Sequence, residues 1–396
     1  MLSGAEVVLP DRILSPGTLA IDGDRIADIR PGAAAGRPGE TVLLAQHYVV
    51  PGFIDVHVHG VEGFDALGPD GSVGSMAAAL PKYGVTAFCP TMVACPPGSI
   101  ARVLSEVARA RRAIPAGARV LPAHLESSFI NPAFAGAQPA ACLRVPRPVV
   151  DGGAATAGDF TSEEVLRAIE LGVPDLAVVT LAPELDGGVD LVSRIVSLGL
   201  RVSLGHSGAD YDVACAAIAA GARRATHLFN RMPPLDHHEP GLVGAVLEAE
   251  EVAAEIICDG VHVHPSLVGV TVGAKRPARV MAVTDGTALS GLAPGARAQL
   301  GQEQILADGL AARLADGTLA GSTSTMDRIF RLLVDRVGLS LVDAATVTAT
   351  TPARELGLVG HGLLAAGAVA DLVVLDRAFS VARTYVGGQL MYARSA

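Results

Sequence analysis

From residue 51 onward, short apolar runs rich in β-branched residues alternate with longer stretches in which apolar positions recur every three or four residues. That alternation predicts parallel strands joined by crossover helices. Eight runs qualify as strands: FIDVHVH (53–59), VTAFCPT (85–91), RVLPAHLE (119–126), LAVVTLAPE (176–184), RVSLGHS (201–207), RATHLFN (224–230), EIICDG (255–260) and RVMAVTDG (279–286). Eight is the number that closes a (β/α)8 TIM barrel. In SIARVLSEVARARRAI, the residues Ile100, Val103, Leu104 and Val107 share one helix face. TSEEVLRAIELG opens on Thr161 with Glu164 three residues later, a capping-box pair, and ends at Gly172. Residues 127–160 are rich in Gly, Pro and Ala with weak periodicity, so a long loop is expected there instead of a plain helix.

The two ends break the pattern. AEVVLPDRILSPGTLAIDGDRIADI and ADLVVLDRAFSVARTYVGGQLMYA read as short strands punctuated by P-G, D-G and G-G turns. They predict a small β-sandwich domain built from residues 1–50 and 353–396, beside a catalytic barrel over 51–352. No internal repeat or low-complexity segment interrupts this plan.

Composition narrows the partners. A chain of 396 residues that is 50% hydrophobic, with 45 Gly and 25 Pro, suits a compact α/β protein with many short turns. Net charge is −10, and no Lys/Arg cluster occupies a helix face, so nucleic acid and anionic membrane are not expected partners. There is no leader-like N-terminus and no apolar run long enough to span a bilayer, which places the expected location in the cytoplasm. The five cysteines form no C-x-x-C pair, and buried thiols are expected.

The candidate chemistry gathers at one rim. In a strand, alternate side chains share a face, so His57 and His59 point the same way. They end strand one; Glu126 ends strand three, His206 strand five, His227 strand six and Asp285 strand eight. The C-terminal rim is where barrel active sites are built. Imidazoles mixed with carboxylates suit a divalent metal, Zn²⁺ first and Fe²⁺ as the alternative, in one or two ions. Such an ion lowers the pKa of a water it binds to about 7. Asp285 is the candidate acid/base beside it, able to take that water's proton and pass it to a leaving amine.

The ordered segments PGFIDVHVHG, AHLESSFINPAFAGAQ, LGHSGA, THLFNRMPPLDHHEPGLVGA, DGVHVHP, VTDG and LAGSTSTM resemble the motifs of N-acetylglucosamine-6-phosphate deacetylases of the amidohydrolase superfamily, over nearly the whole chain. The resemblance implies hydrolysis of an N-acetyl amino sugar, with N-acetylglucosamine 6-phosphate as the expected substrate. It implies Glu126, His206 and His227 as core metal ligands, His57 and His59 for a second ion, and Asp285 as acid/base. Asn230 and His262 resemble residues that hold the sugar and its phosphate. A homodimer is implied, whose second subunit contributes to that pocket.

The departures fall around the substrate. Ser127 and Ser128 stand where the family has Gly-Pro, and Gln138 replaces an imidazole that touches the substrate carbonyl. An amide can still donate to a developing oxyanion but cannot become cationic. His238 replaces a phosphate-binding Arg, and Arg231 replaces a small residue after Asn230. Arg keeps its charge and binds phosphate through two donors, whereas His must first be protonated. Two other readings remain: a diverged amidohydrolase acting on an unphosphorylated N-acyl or cyclic amide, and a binding protein that has lost catalysis. Lys82 and Lys275 are the chain's only lysines and neither ends a strand, which argues against a carbamylated-lysine bridge and for Glu126.

Overall fold

The computed structural model describes residues 1–34, 41–147 and 159–395. Eight parallel strands follow one another in space as in sequence: Phe53–Val58, Val85–Met92, Ala123–Glu126, Leu176–Leu181, Arg201–Leu204, Arg224–Ala225, Ala253–Ile257 and Val280–Val283. They are the barrel strands one to eight, at the positions the apolar runs predict. Most are buried on both faces, the condition under which strands read as continuous apolar runs. Ile54, Val56, Ala87, Cys89, Ile257, Met281 and Val283 pack in the barrel interior.

Strands one and eight meet through few ladder bonds. Val58 pairs with Gly286 in a single bridge, His59 N donates to Gly286 O (2.7 Å) and Asp285 N to His57 O (3.0 Å). Below them the buried Asp55 carboxylate accepts from the Thr284 hydroxyl at 2.5 Å. A side-chain pair thus completes the ring, and both seam segments carry site residues.

The helix Pro97–Arg112 turns Ile100, Val103, Leu104 and Val107 inward, as its spacing predicts. Thr161 and Glu164 form the capping box of Ser162–Leu171, which ends at Gly172. Among its described residues, the long 127–160 connection carries two short 3-10 turns, Pro132–Phe134 and Ala140–Cys142. Its stretch 148–158 lies outside the described residues.

The chain's two ends form one hydrogen-bonded mixed sheet. Tyr48–Pro51 lies between Leu2–Val8, which it meets in parallel, and Leu372–Leu375, which it meets antiparallel. Leu2, Leu19, Ile26, Val49, Leu372 and Val374 share its core. The expected sandwich is therefore a single sheet wrapped over that core, its far turns brought together where Gly388 N donates to Ala370 O and Ala370 N to Asp24 O. A further antiparallel sheet, Arg297–Leu300, Glu303–Asp308, Ala311–Arg313 and Leu319–Ser322, projects after strand eight. Gly286 bridges to its last strand at Ser322. No expectation from the sequence covered it.

Candidate active site

Five of the nine non-glycine residues with positive φ among the described residues sit on the barrel rim: His206, His227, Phe229, Arg231 and Asp285. Left-handed backbone is costly for side-chain-bearing residues, and such strain gathers where a side chain must be aimed. Here it turns imidazoles and a carboxylate inward from the strand ends.

Glu126 is the hub. Its Oε1 lies 3.1 Å from both His206 Nε2 and His227 Nε2, which are themselves 3.1 Å apart. On the other side, Glu126 Oε2 is 3.5 Å from His59 Nε2 and Oε1 is 3.6 Å from His57 Nε2, with the two nitrogens separated by 3.3 Å. Asp285 Oδ1 closes this second group at 3.1 Å from His59 and 3.3 Å from His57. Ligands about 2.05 Å from a tetrahedral ion stand about 3.3 Å from one another. Both trios, Glu126–His206–His227 and His57–His59–Glu126, have that spacing.

The outer nitrogens fit a metal as well. His57 Nδ1 meets Glu255 Oε2 (3.0 Å), His59 Nδ1 the Thr91 carbonyl (3.1 Å) and His206 Nδ1 the Phe134 carbonyl (2.9 Å). Each partner can accept a hydrogen bond from Nδ1–H and leave the Nε2 lone pair facing the site, the usual support for a ligating imidazole. His227 Nδ1 is the exception, buried without a partner.

Charge points the same way. Burial alone would lower His57 and His59, but the facing carboxylates of Glu126, Asp285 and, for His57, Glu255 outweigh it and raise both, His57 to about 10. Burial would raise Glu126 and Asp285, yet the surrounding imidazoles hold both below the ordinary carboxylate range. Such a pocket demands positive charge at its centre. The donor set therefore fits one divalent ion, or two sharing Glu126.

Several supporting residues carry no motif in the sequence. Glu255 is fully buried, bonded to His57 and to Arg224 (3.0 Å), and these two partners hold it down to about 2 although burial alone would raise it. His124 Nε2 meets the Thr180 hydroxyl at 2.7 Å; burial and the neighbouring His57 push it down to about 3, which leaves it a neutral core imidazole. Ser127, in place of the expected Gly, donates its hydroxyl to the Thr180 carbonyl at 2.6 Å and so ties the residue after Glu126 to strand four.

A cavity of about 550 Å³ opens above the cluster, lined by Gln138, Asn230, Arg231 and His262 as well as His59, Glu126, His206, His227 and Asp285. Gln138 Oε1 accepts from Ala94 N (2.7 Å), and its Nε2 donates to Glu126 Oε2 (2.5 Å). An amide N–H can only donate and a carboxylate only accept, so these neighbours dictate which way the Gln138 amide faces. Asn230 Nδ2 donates to His227 O at 3.2 Å. His262 Nδ1 donates to Asp259 Oδ2 at 2.6 Å, and Asp259 outweighs burial to raise the imidazole's pKa. The projecting sheet adds Leu300, Arg313 and Leu319 to the wall. The expected contact at His238 does not form within this chain: His238 is exposed on the turn after Asp236, ring to ring with His237 and away from the cavity lining. The motif places it near Asn230 in sequence only.

The profile of the amidohydrolase family matches residues 48–391. The chain is 36% identical over 392 residues to N-acetylglucosamine-6-phosphate deacetylase of Rattus norvegicus, covering 96% of this chain and 90% of the relative. It is 33% identical over 370 residues to N-acetylgalactosamine-6-phosphate deacetylase of Escherichia coli O157:H7, covering 92% and 93%. A mutant N-acetyl-D-glucosamine-6-phosphate deacetylase from Mycobacterium smegmatis, solved in complex with N-acetyl-D-glucosamine-6-phosphate, superimposes with a TM-score of 0.88 at 34% identity over 99% of each chain.

Proposed function

As the chain belongs to the N-acetylglucosamine-6-phosphate deacetylase family of amidohydrolases, we propose that it hydrolyses the acetamido bond of N-acetylglucosamine 6-phosphate to glucosamine 6-phosphate and acetate. The carrying observation is Glu126, shared between two imidazole pairs at the floor of a cavity and faced by Asp285 and an oriented amide. An exposed or dispersed set of the same residues would support only a fold.

Glu126, His206 and His227 would hold one divalent ion, and His57, His59 and Glu126 a second. Zinc is the proposed metal, because imidazole and carboxylate donors in a four-ligand arrangement suit it. Such an ion supplies an acidified water at neutral pH and polarises a carbonyl oxygen. Asp285, ionised at neutral pH, accepts the proton of the attacking water. As the C–N bond breaks, it returns that proton to the departing amine, and the acyl carbon keeps the oxygen as acetate. Gln138 offers an N–H to the acyl oxygen as charge develops there. Asn230 and His262 are the proposed sugar contacts, His262 aligned by Asp259.

The homodimer expected from family resemblance remains a proposal, with the exposed His238 turn as a segment free to meet a second copy. Five free cysteines, four of them buried, support the proposed cytoplasmic setting. No helix among the described residues is long and apolar enough to cross a membrane.

The test is acetate release by zinc-loaded protein from N-acetylglucosamine 6-phosphate, N-acetylgalactosamine 6-phosphate and their unphosphorylated forms. The glucosamine phosphate should give the highest kcat/KM. A higher value for the galacto epimer or for an unphosphorylated sugar would reassign the substrate, and no release from any would refute the deacetylase reading.

A further inference from the structure

Glu184 follows strand four at the barrel rim and has no task in the proton transfers above. It is half-buried, and donors from two other segments fill its carboxylate. Oε1 accepts from Asn131 Nδ2 (2.8 Å) and from Gly208 N (2.6 Å), and Oε2 accepts from the Ser207 hydroxyl (2.7 Å). Asn131 lies on the connection that leaves Glu126, and Ser207 and Gly208 are the two residues directly after His206.

These two segments hold His206 by its backbone and by its ring. Asn131 N donates to the His206 carbonyl at 3.0 Å, while the Phe134 carbonyl faces His206 Nδ1 at 2.9 Å. The Asn131 side chain also accepts from Ala133 N (2.9 Å) at the head of the Pro132–Phe134 turn, and so helps to set where the Phe134 carbonyl stands. Gly208 lies against the Phe134 ring, which a Cβ at that position would strike. The His206 backbone is left-handed at φ 49°, a conformation that persists only where the surroundings over-determine it.

We infer that Glu184 is a positioning residue for one half of the metal centre. It clasps the Asn131 segment to the turn after His206, which aims His206 Nε2 at the ion proposed to lie between Glu126, His206 and His227; the inference rests on that metal reading. The second imidazole pair stands outside the clasp, since His57 is held by Glu255 and His59 by the Thr91 and Gly286 carbonyls. Hydrogen bonding, not charge, does the holding. A glutamine at 184 keeps an oxygen for Asn131 and Gly208, and its N–H can donate to the Ser207 oxygen, because a hydroxyl both gives and accepts.

The experiment measures zinc affinity of metal-free protein by competition with a chromophoric chelator, a readout that needs no turnover. In Glu184→Met one ion per chain should bind about 10- to 100-fold more weakly, the usual effect of losing an outer support of a ligand, while any second ion keeps its affinity. Glu184→Gln should stay within about threefold of wild type, the difference between a hydrogen-bonding and a charge role. Asn131→Ala, which leaves the carboxylate in place and removes one of its three donors, should weaken the same ion by less, and serves where Glu184→Met does not fold. In a His206→Ala background Glu184→Met should cost no further zinc, because no imidazole is left to aim. Unchanged affinity in Glu184→Met, equal weakening of two ions, a Gln variant as poor as Met, or a further loss in the His206→Ala background would overturn the clasp. If wild type binds no zinc, the metal reading falls and the clasp with it; if wild type binds zinc and Glu184→Met binds it as tightly, the clasp alone falls.

Discussion

Replacing Gln138 by Ala removes an amide whose oxygen is held by Ala94 N at 2.7 Å and whose nitrogen lies 2.5 Å from Glu126 Oε2. One of its two N–H bonds serves Glu126, and the other is available to a substrate oxygen in the cavity. Loss of one preorganised oxyanion donor costs about 10²- to 10³-fold in kcat, or about 2.7–4 kcal/mol. Glu126 Oε1, the oxygen that faces His206 and His227, does not depend on the amide. Metal content should therefore stay near the wild-type value while kcat falls by that factor and KM changes little. Gln138→Glu is the sharper variant. It keeps an acceptor for Ala94 N but sets a second carboxyl against Glu126, and two carboxyls in contact must share a proton. Its kcat should fall at least as far as that of the Ala variant. The assay is acetate release under saturating substrate, with metal per chain measured on the same samples. A kcat within about threefold of wild type at full metal content would refute the oxyanion role, being far smaller than the loss of such a donor. So would a loss of activity that simply follows a loss of metal.

Asp285→Asn keeps the shape and the backbone bonds to His57 and Ser322 but cannot accept a proton; kcat should fall about 10³-fold with metal retained, and full activity would refute its role. Glu126→Gln removes the one proposed ligand common to both trios, so metal per chain by elemental analysis should drop below about a fifth of an ion, and added zinc should not restore turnover. Asp371 in the terminal sheet is bonded to Arg119 (3.1 Å), His361 (3.0 Å) and Gly387 N (2.6 Å); burial would raise its pKa, but these partners hold it below the usual 3.8. Because the folded pKa is the lower one, its contribution is fully present above about pH 4 and is lost as pH falls through the folded value. Asp371→Asn should then destabilise by about 3 kcal/mol at pH 7 in denaturant unfolding, with the gap to wild type closing as the pH is taken down towards 3.

The barrel was legible because most of its strands are buried on both sides and so appear as largely apolar runs, with imidazoles and carboxylates gathered where those runs end. His57, His59, Glu126, His206, His227 and Asp285 occupy those exits. Glu255 escaped notice because its partners, His57 and Arg224, are supplied by other strands, and no spacing along the chain encodes an ion pair across a barrel interior. The projecting sheet at 297–322 was missed for a different reason. Its strands are short and half exposed, as the alternating burial of Glu303–Asp308 records, and they fall where the barrel pattern calls for a helix. His238 and Arg231 stand seven positions apart in one motif and look equivalent to a reader of phosphate-binding side chains. The left-handed turn at Arg231 sends one to the cavity, and the exposed loop after Asp236 keeps the other away from it.

The strand Tyr48–Pro51, one residue ahead of the strand that carries His57, is flanked on one edge by Leu2–Val8 and on the other by Leu372–Leu375. During synthesis its second edge therefore stays uncovered until Leu372–Leu375, more than 300 residues later in the chain, has left the ribosome. An open edge of this kind is a template for pairing with another nascent chain. Clipping Val381–Val386 and Gln389–Ala393 would leave every proposed metal ligand in place and still unseat the foundation on which the first of them stands.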